Sequence, residues 1–218
     1  MSNKKLKAKG ILFDLDGTLV DSRPAYLKAA KLTFKKLGIK PLSEKQAIEI
    51  PRRLEQKLPL DINVKKGLSS FIKIYLNSYY SISGSETILI PNVLSTLKLL
   101  SKKVKLSLVT MRSVPKVSLI QELENFNIAK YFDVFVTALD TKKPKPSPEA
   151  VLKCAKSMNL QLDDCIIVGD SINDIHAGKA AGIKTVAVLS GIFSFYELAK
   201  EKPDLIIKNI NFLPDFLE

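Results

Sequence analysis

Short apolar runs alternate along the chain with longer segments whose apolar positions recur at helical spacing, the pattern of a parallel sheet covered by helices. Six runs predict strands: Gly10–Asp14, Lys105–Thr110, Asp133–Thr137, Cys165–Gly169, Thr185–Leu189 and Asp204–Ile207. A helix-patterned stretch separates the first from the second. Ser22 and Pro24 open a helix there, Leu27, Ala30, Phe34 and Leu37 share one face, and Gly38 closes it. Ser43 with Gln46 forms a capping box for a second helix, expected to end before Pro51. Lys66 to Tyr80 supplies a third, with Leu68, Phe71, Ile72, Tyr75, Leu76 and Tyr79 on its apolar side.

Four more helices are predicted between the later strands: Pro91–Leu100, Pro115–Phe126, Pro148–Met158 and Ile172–Ala181. Ser147 and Pro148 open the third of these and Gly182 ends the fourth. The fold class that follows is α/β. A Rossmann-like parallel sheet core is expected from residues 1–20 and 87–218, with a helical cap domain at 21–86 inserted after the first strand. In an open parallel sheet the strands' carboxyl ends share one edge, and ligands bind there.

Composition narrows the class without changing the architecture. With 218 residues, 46% apolar and 26% charged, the chain can bury a core and is neither disordered nor a membrane protein. No run approaches the roughly 20 apolar residues that span a bilayer, and Asp14 interrupts the first apolar run too early for a signal peptide. A cytoplasmic protein with no membrane partner is expected. Cys154 and Cys165 are too few for a disulfide framework.

The net charge of +12 is uneven: thirteen basic against five acidic residues give +8 within 22–86. Four of the 34 cations are arginines, Arg23, Arg52, Arg53 and Arg112, and no aromatic-basic run accompanies the lysines. The charge therefore reads as a solvated lysine surface rather than a nucleic-acid footprint. A basic nucleic-acid-binding module remains the non-enzyme alternative.

Chemistry gathers at the predicted strand ends. Asp14 and Asp16 lie in Asp14-Leu15-Asp16-Gly17-Thr18, and Asp170 and Asp174 in Gly169-Asp170-Ser171-Ile172-Asn173-Asp174. Carboxylates brought within about 4 Å repel by roughly 4 kcal/mol per pair at an effective dielectric of 20, so a cation belongs among them. Oxygen donors suit Mg²⁺, and the one histidine, His176, is isolated from both cysteines, which argues against zinc. Thr110, followed by Met111 and Arg112, offers a hydroxyl and backbone N–H groups to phosphate oxygens. The stretch Lys142-Lys143-Pro144-Lys145-Pro146-Ser147-Pro148 carries a lysine in a proline-stiffened loop.

These four motifs, in this order over nearly the whole chain, resemble the haloacid dehalogenase-like hydrolase superfamily and, within it, the phosphoglycolate phosphatase-like group. The resemblance implies that Asp14 is a nucleophile forming an aspartyl-phosphate and that Asp16 is the general acid and base. It assigns Mg²⁺ to Asp14, Asp16 through its backbone carbonyl, and Asp170, with Asp174 acting through waters or as a supporting partner. Thr110, with Met111 beside it, would hold the phosphoryl group, and a loop lysine would neutralise it. The spacing to Ser147 favours Lys143 over Lys145.

The implied function is Mg²⁺-dependent hydrolysis of a small phosphate monoester, whether phosphoglycolate-like, a sugar phosphate or a nucleotide. A phosphomutase and an inorganic pyrophosphatase of the same fold are alternatives. An acid at Asp16 argues against halide chemistry. The expected partner is a small phosphorylated metabolite, the expected state a monomer or homodimer. Arg52 and Arg53 in the cap and Arg112 after Thr110 are candidate substrate contacts. Two departures count against phosphoglycolate itself. Glu49-Ile50-Pro51-Arg52-Arg53-Leu54 lacks the glycines common in the relatives' cap loop, and Met111 stands where they often carry asparagine or serine.

Overall fold

Five of the predicted strands flank Gly10–Phe13 (β1) or extend the sheet beyond its neighbours. In the computed structural model, which describes residues 5–62 and 67–218, these are Lys105–Val109 (β4), Val134–Val136 (β5), Cys165–Gly169 (β6), Lys184–Val188 (β7) and Leu205–Ile207 (β8). Their order is β5-β4-β1-β6-β7-β8, and every pairing is parallel. Two further strands of two residues each, Val20–Asp21 (β2) and Ile88–Leu89 (β3), pair with one another. They are too short to leave a period in the sequence.

Both faces of the sheet are covered, which is why its central strands read as continuous apolar runs. Ile11, Phe13, Leu106, Leu108, Ile166 and Val168 point into one buried cluster with Val93–Leu100 (α4) and Lys116–Asn125 (α5). Leu12, Val109, Cys165 and Ile167 point into the other, against Glu149–Ser157 (α6) and Ile172–Ala181 (α7). Phe195–Lys200 (α8) adds Leu198 to a third cluster beside β7. After β1 the sheet grows outward through β4 and β5, and the chain then returns to place β6 on the other side of β1. The strand order reverses between β1 and β6, which makes their carboxyl ends the expected ligand crevice.

By internal contacts the chain divides into two compact units, Met1–Asp21 with Leu89–Glu218, and Ser22–Ile88. The second holds Arg23–Leu37 (α1), Glu44–Glu55 (α2) and Leu68–Glu86 (α3). Its interior is aromatic, with Tyr26 against Tyr79 at 5.1 Å between ring centroids and Phe34 against Phe71 at 5.7 Å. Gly38 ends α1 in the left-handed conformation at φ 64°, and the Ser43–Gln46 capping box opens α2.

Two helix ends differ from the sequence expectation by more than two residues. α2 does not stop before Pro51 but carries it inside, because Ala47, Ile50 and Pro51 are buried together and packing offsets the single missing backbone bond. α3 runs past Tyr80 to Glu86. Hydroxyls of Ser81, Ser85 and Thr87 donate to the carbonyls of Ser78, Ile82 and Ser83, so these three polar groups are bonded within the helix or at its end. The expected start of this helix at Lys66 lies outside the described residues. No helix among the described residues is long and apolar enough to cross a membrane.

Candidate active site

Parallel register brings the motifs to one edge. Phe13 pairs with Leu108 on one side and Val168 on the other, so the chain beyond β1 emerges between the ends of β4 and β6. The Asp14 amide still donates to the Val168 carbonyl at 2.9 Å, which anchors the Asp14 side chain where the sheet stops. Asp14, Asp170 and Asp174 are buried there, and one carboxylate oxygen from each lies within 4.8 Å of the others.

Each of the three has a local reason for its place. Asp174 sits at the third position of α7, where Oδ2 accepts from the Ser171 amide at 3.1 Å and its hydroxyl at 2.8 Å. The cap thus spends one oxygen and leaves Oδ1 for the site. Asp170 directly follows β6, and the buried Thr18 hydroxyl lies 3.3 Å from its Oδ1 and 3.4 Å from Asp14 Oδ2. Gly17 turns the chain at φ +80°, and a Cβ there would stand 2.4 Å from Asp170 Oδ2. Gly191, in the loop after β7, approaches still closer, since its Cβ would fall 1.7 Å from the same oxygen. Ser190 ties that loop down by donating to the Gly17 carbonyl at 2.7 Å.

The cation among these acids is Lys145. Its Nζ donates to Asp14 Oδ1 and to Asp174 Oδ1, both at 2.6 Å, and to the Val109 carbonyl at 3.1 Å. Lys143, the lysine that spacing favoured, is exposed and outside the cluster. The physical reason lies in Glu149, whose carboxylate accepts from the amides of Lys142 and Lys143 at 2.8 and 3.0 Å. That pins the loop backbone at the surface, and two residues later Lys145 turns inward beside a cis bond to Pro146.

Burial pushes the Asp14 carboxyl up to about 7, and the charges of Asp174 and Asp16 add to the shift while Lys145 opposes it. Burial works against the Lys145 ammonium, but Asp14 and Asp174 outweigh it and hold Lys145 protonated above its ordinary range. The two rises have different causes: burial dominates at Asp14, whereas the charges and hydrogen bonds of Asp14 and Asp174 prevail over burial at Lys145. Three carboxylates against one ammonium leave two formal negative charges in a buried space, and a divalent cation would cancel them. An all-oxygen donor set with glycines admitting close approach suits a hard ion such as Mg²⁺.

The Asp16 carboxylate is not part of this group. It turns instead to Arg112, whose Nε and Nη2 donate to Oδ2 and Oδ1 at 2.7 and 2.6 Å. As a metal ligand, Asp16 is therefore left with the backbone carbonyl that the family resemblance assigned to it. Arg112, a candidate substrate contact in the sequence, is buried at 2% exposure, with its guanidinium paired to Asp16 and Glu122. Thr110 is buried at the end of β4, its hydroxyl accepting from the Arg112 amide at 3.2 Å. Met111 is half-buried, with its sulfur 3.5 Å from Asn173 Nδ2.

Arg52 and Arg53 lie on α2 in the other unit. Arg52 pairs with Glu49 at 3.0 Å, and Arg53 donates to the Pro59 carbonyl at 2.8 Å. Sequence reasoning did not single out Thr18, Glu122, Ser190 or Gly191. Thr18 stands within the first motif, and Ser190-Gly191 directly follows a predicted strand, so both carried a visible strand-end signal. Glu122 carried none, because it sits in the middle of a helix.

Three buried carboxylates and a buried lysine that reaches the first of them thus meet at the point where the parallel sheet reverses. A family model described as haloacid dehalogenase-like hydrolase matches residues 11–188, and the chain belongs to that family. Within it the chain falls in the phosphoglycolate phosphatase-like group and is a phosphatase. Phosphoglycolate phosphatases of Escherichia coli (strain K12) and Salmonella paratyphi A are each 31% identical to it over 234 residues, covering 96% of this chain and 92% of theirs. A haloacid dehalogenase-like family hydrolase of Streptococcus pneumoniae shares the fold with a TM-score of 0.78 over 98% of both chains, at 24% identity.

Proposed function

We propose that the chain hydrolyses a small phosphate monoester in a Mg²⁺-dependent reaction, through an aspartyl-phosphate on Asp14. The observation that carries this reading is the Asp14–Lys145 contact at 2.6 Å inside the carboxylate group. It holds one aspartate oxygen with a buried cation at the sheet edge where an anionic substrate would dock.

Asp14, Asp170 and the Asp16 carbonyl would hold the metal, with Asp174 supporting it. Mg²⁺ bound there supplies positive charge against the phosphoryl oxygens. Asp14 attacks phosphorus: the new Oδ–P bond forms as the P–O bond to the leaving group breaks, and Asp16 gives its proton to the departing oxygen. Water then attacks the phosphorus and passes a proton back to Asp16. The Oδ–P bond breaks and inorganic phosphate leaves, which restores Asp14. Lys145 orients Asp14 and offsets charge on the transferring group, while Thr110 holds a phosphoryl oxygen.

Phosphoglycolate heads the set of substrates to test, because proteins named for that activity are 31% identical over nearly the whole chain. Sugar phosphates, nucleoside monophosphates and pyrophosphate complete it. The expected result is Mg²⁺-dependent release of phosphate from at least one monoester, with Asp14→Asn inactive. No turnover above the Asp14→Asn control would overturn the reading. Label returned to a sugar instead of water would mark a phosphomutase.

A further inference from the structure

The reaction just described makes no use of Arg112 or Glu122, yet both are buried, at 2% and 7% exposure, and they brace Asp16. Arg112 follows β4 and Glu122 lies on α5. One edge of the guanidinium grips both Asp16 oxygens, through Nε at 2.7 Å and Nη2 at 2.6 Å. The remaining nitrogen, Nη1, donates to Glu122 Oε2 at 2.6 Å. The Arg112 amide is bonded to the Thr110 hydroxyl, so the side chain starts from a fixed point as well as ending on one.

A planar fork on both oxygens of a carboxylate sets its plane and its direction, which a point charge cannot do. Burying one guanidinium between two carboxylates is also a poor way to gain stability, because desolvation consumes most of the attraction. The arrangement is better explained by what it orients. A carboxylate has about four lone-pair sites, and the fork occupies two of them. The others keep a defined direction.

We infer that Arg112, held by Glu122, is a positioning residue that aims the Asp16 carboxyl group, carrying its proton on a site the fork does not use, at the leaving-group oxygen. This rests on the reading of Asp16 as the proton donor. Proton transfer requires the donor within hydrogen-bond reach of the oxygen, so loss of the fork weakens catalysis where the leaving group needs a proton. Where the leaving group departs readily as an anion, the fork is dispensable for forming the aspartyl-phosphate, the step that kcat/KM reports.

The test is kcat/KM across a series from 2,4-dinitrophenyl phosphate to an alkyl phosphate, in Mg²⁺, for the wild type, Asp16→Asn, Arg112→Lys and Glu122→Ala. Arg112→Lys keeps the charge and removes the fork. It is expected to lose about 10²-fold on the alkyl ester and less than about threefold on the dinitrophenyl ester, with the same selectivity as Asp16→Asn. Glu122→Ala is expected to show that selectivity at about tenfold, and it is the variant to read if Arg112→Lys does not melt cooperatively. Equal losses along the series, or an alkyl ester rate within threefold of wild type, would overturn the inference. Absence of wild-type turnover above Asp14→Asn is a different result, and overturns the phosphatase reading itself.

Discussion

Lys145 Nζ stands 2.6 Å from Asp14 Oδ1 across 131 residues of chain, and it is buried where the neighbouring Lys143 is exposed. The two lysines differ by one turn of a proline-rich loop, yet they are expected to behave oppositely. Lys145→Met should lower kcat by at least about 10²-fold, the size of losing one preorganised charge contact, while Lys143→Ala should stay within about twofold of wild type. Steady-state rates on the best substrate decide this. Equal effects of the two substitutions would show that the buried contact is not what the reaction uses.

The surplus of carboxylates makes metal binding a stability effect. Mg²⁺ that binds the folded chain raises its melting temperature, by an amount set by about 2.7 kcal/mol when the ion is at 100 times its dissociation constant. Asp170→Asn should abolish most of that shift and should itself melt no lower than the metal-free wild type, since it removes a buried repelling charge. Differential scanning with and without Mg²⁺, and with Ca²⁺ as a larger comparison ion, measures both statements.

Gly191 predicts a steric route to the same loss. A methyl group placed there would lie 1.7 Å from Asp170 Oδ2, so either the loop or the carboxylate must move. Gly191→Ala is expected to fold, to lose the Mg²⁺-induced shift in melting temperature, and to turn over at least about tenfold more slowly, since displacing a metal-supporting group costs on that order. A variant with wild-type metal response would mean that the loop yields instead.

The two thiols give a prediction about the apolar core. Burial pushes Cys154 up to about 12 and Cys165 up to about 11, from an ordinary value of 9.0. The folded protein at pH 8 should therefore resist iodoacetamide for hours, while the urea-unfolded chain is alkylated at both positions within minutes. The same shifts work against the fold in alkali. Both thiols stay protonated in the native state and ionise first in the unfolded chain, so their contribution is complete below pH 9 and is lost as pH rises toward 11 to 12. Mass spectrometry of the alkylated protein tests the first statement. Urea midpoints of the wild type and Cys154→Ala between pH 8 and 11 test the second.

How much of this was legible in the chain varies by element. Continuous apolar runs at β1, β4 and β6 announced buried parallel strands, and β6 and α7 coincide with the predicted bounds at Cys165–Gly169 and Ile172–Ala181. Pro51 misled because a local rule about a missing donor cannot register that its ring is packed. Lys143 misled because spacing counts residues, whereas the direction of a side chain depends on what the loop backbone is bonded to, here Glu149. Glu122 was silent because a charged residue at a helix position reads as surface until a buried partner is seen.

The sequence by itself determined the six strands of the parallel sheet, the Ser43 capping box, the glycine helix ends at Gly38 and Gly182 and the carboxylates at strand ends, since all of these follow from period, backbone freedom and side-chain chemistry over a few residues. Tertiary structure alone decided which lysine meets Asp14 and where the Asp16 side chain turns. Those contacts join positions 131 and 96 residues apart. They depend on sheet register and loop anchoring, which bring distant segments within hydrogen-bond range and leave no periodic trace in the chain.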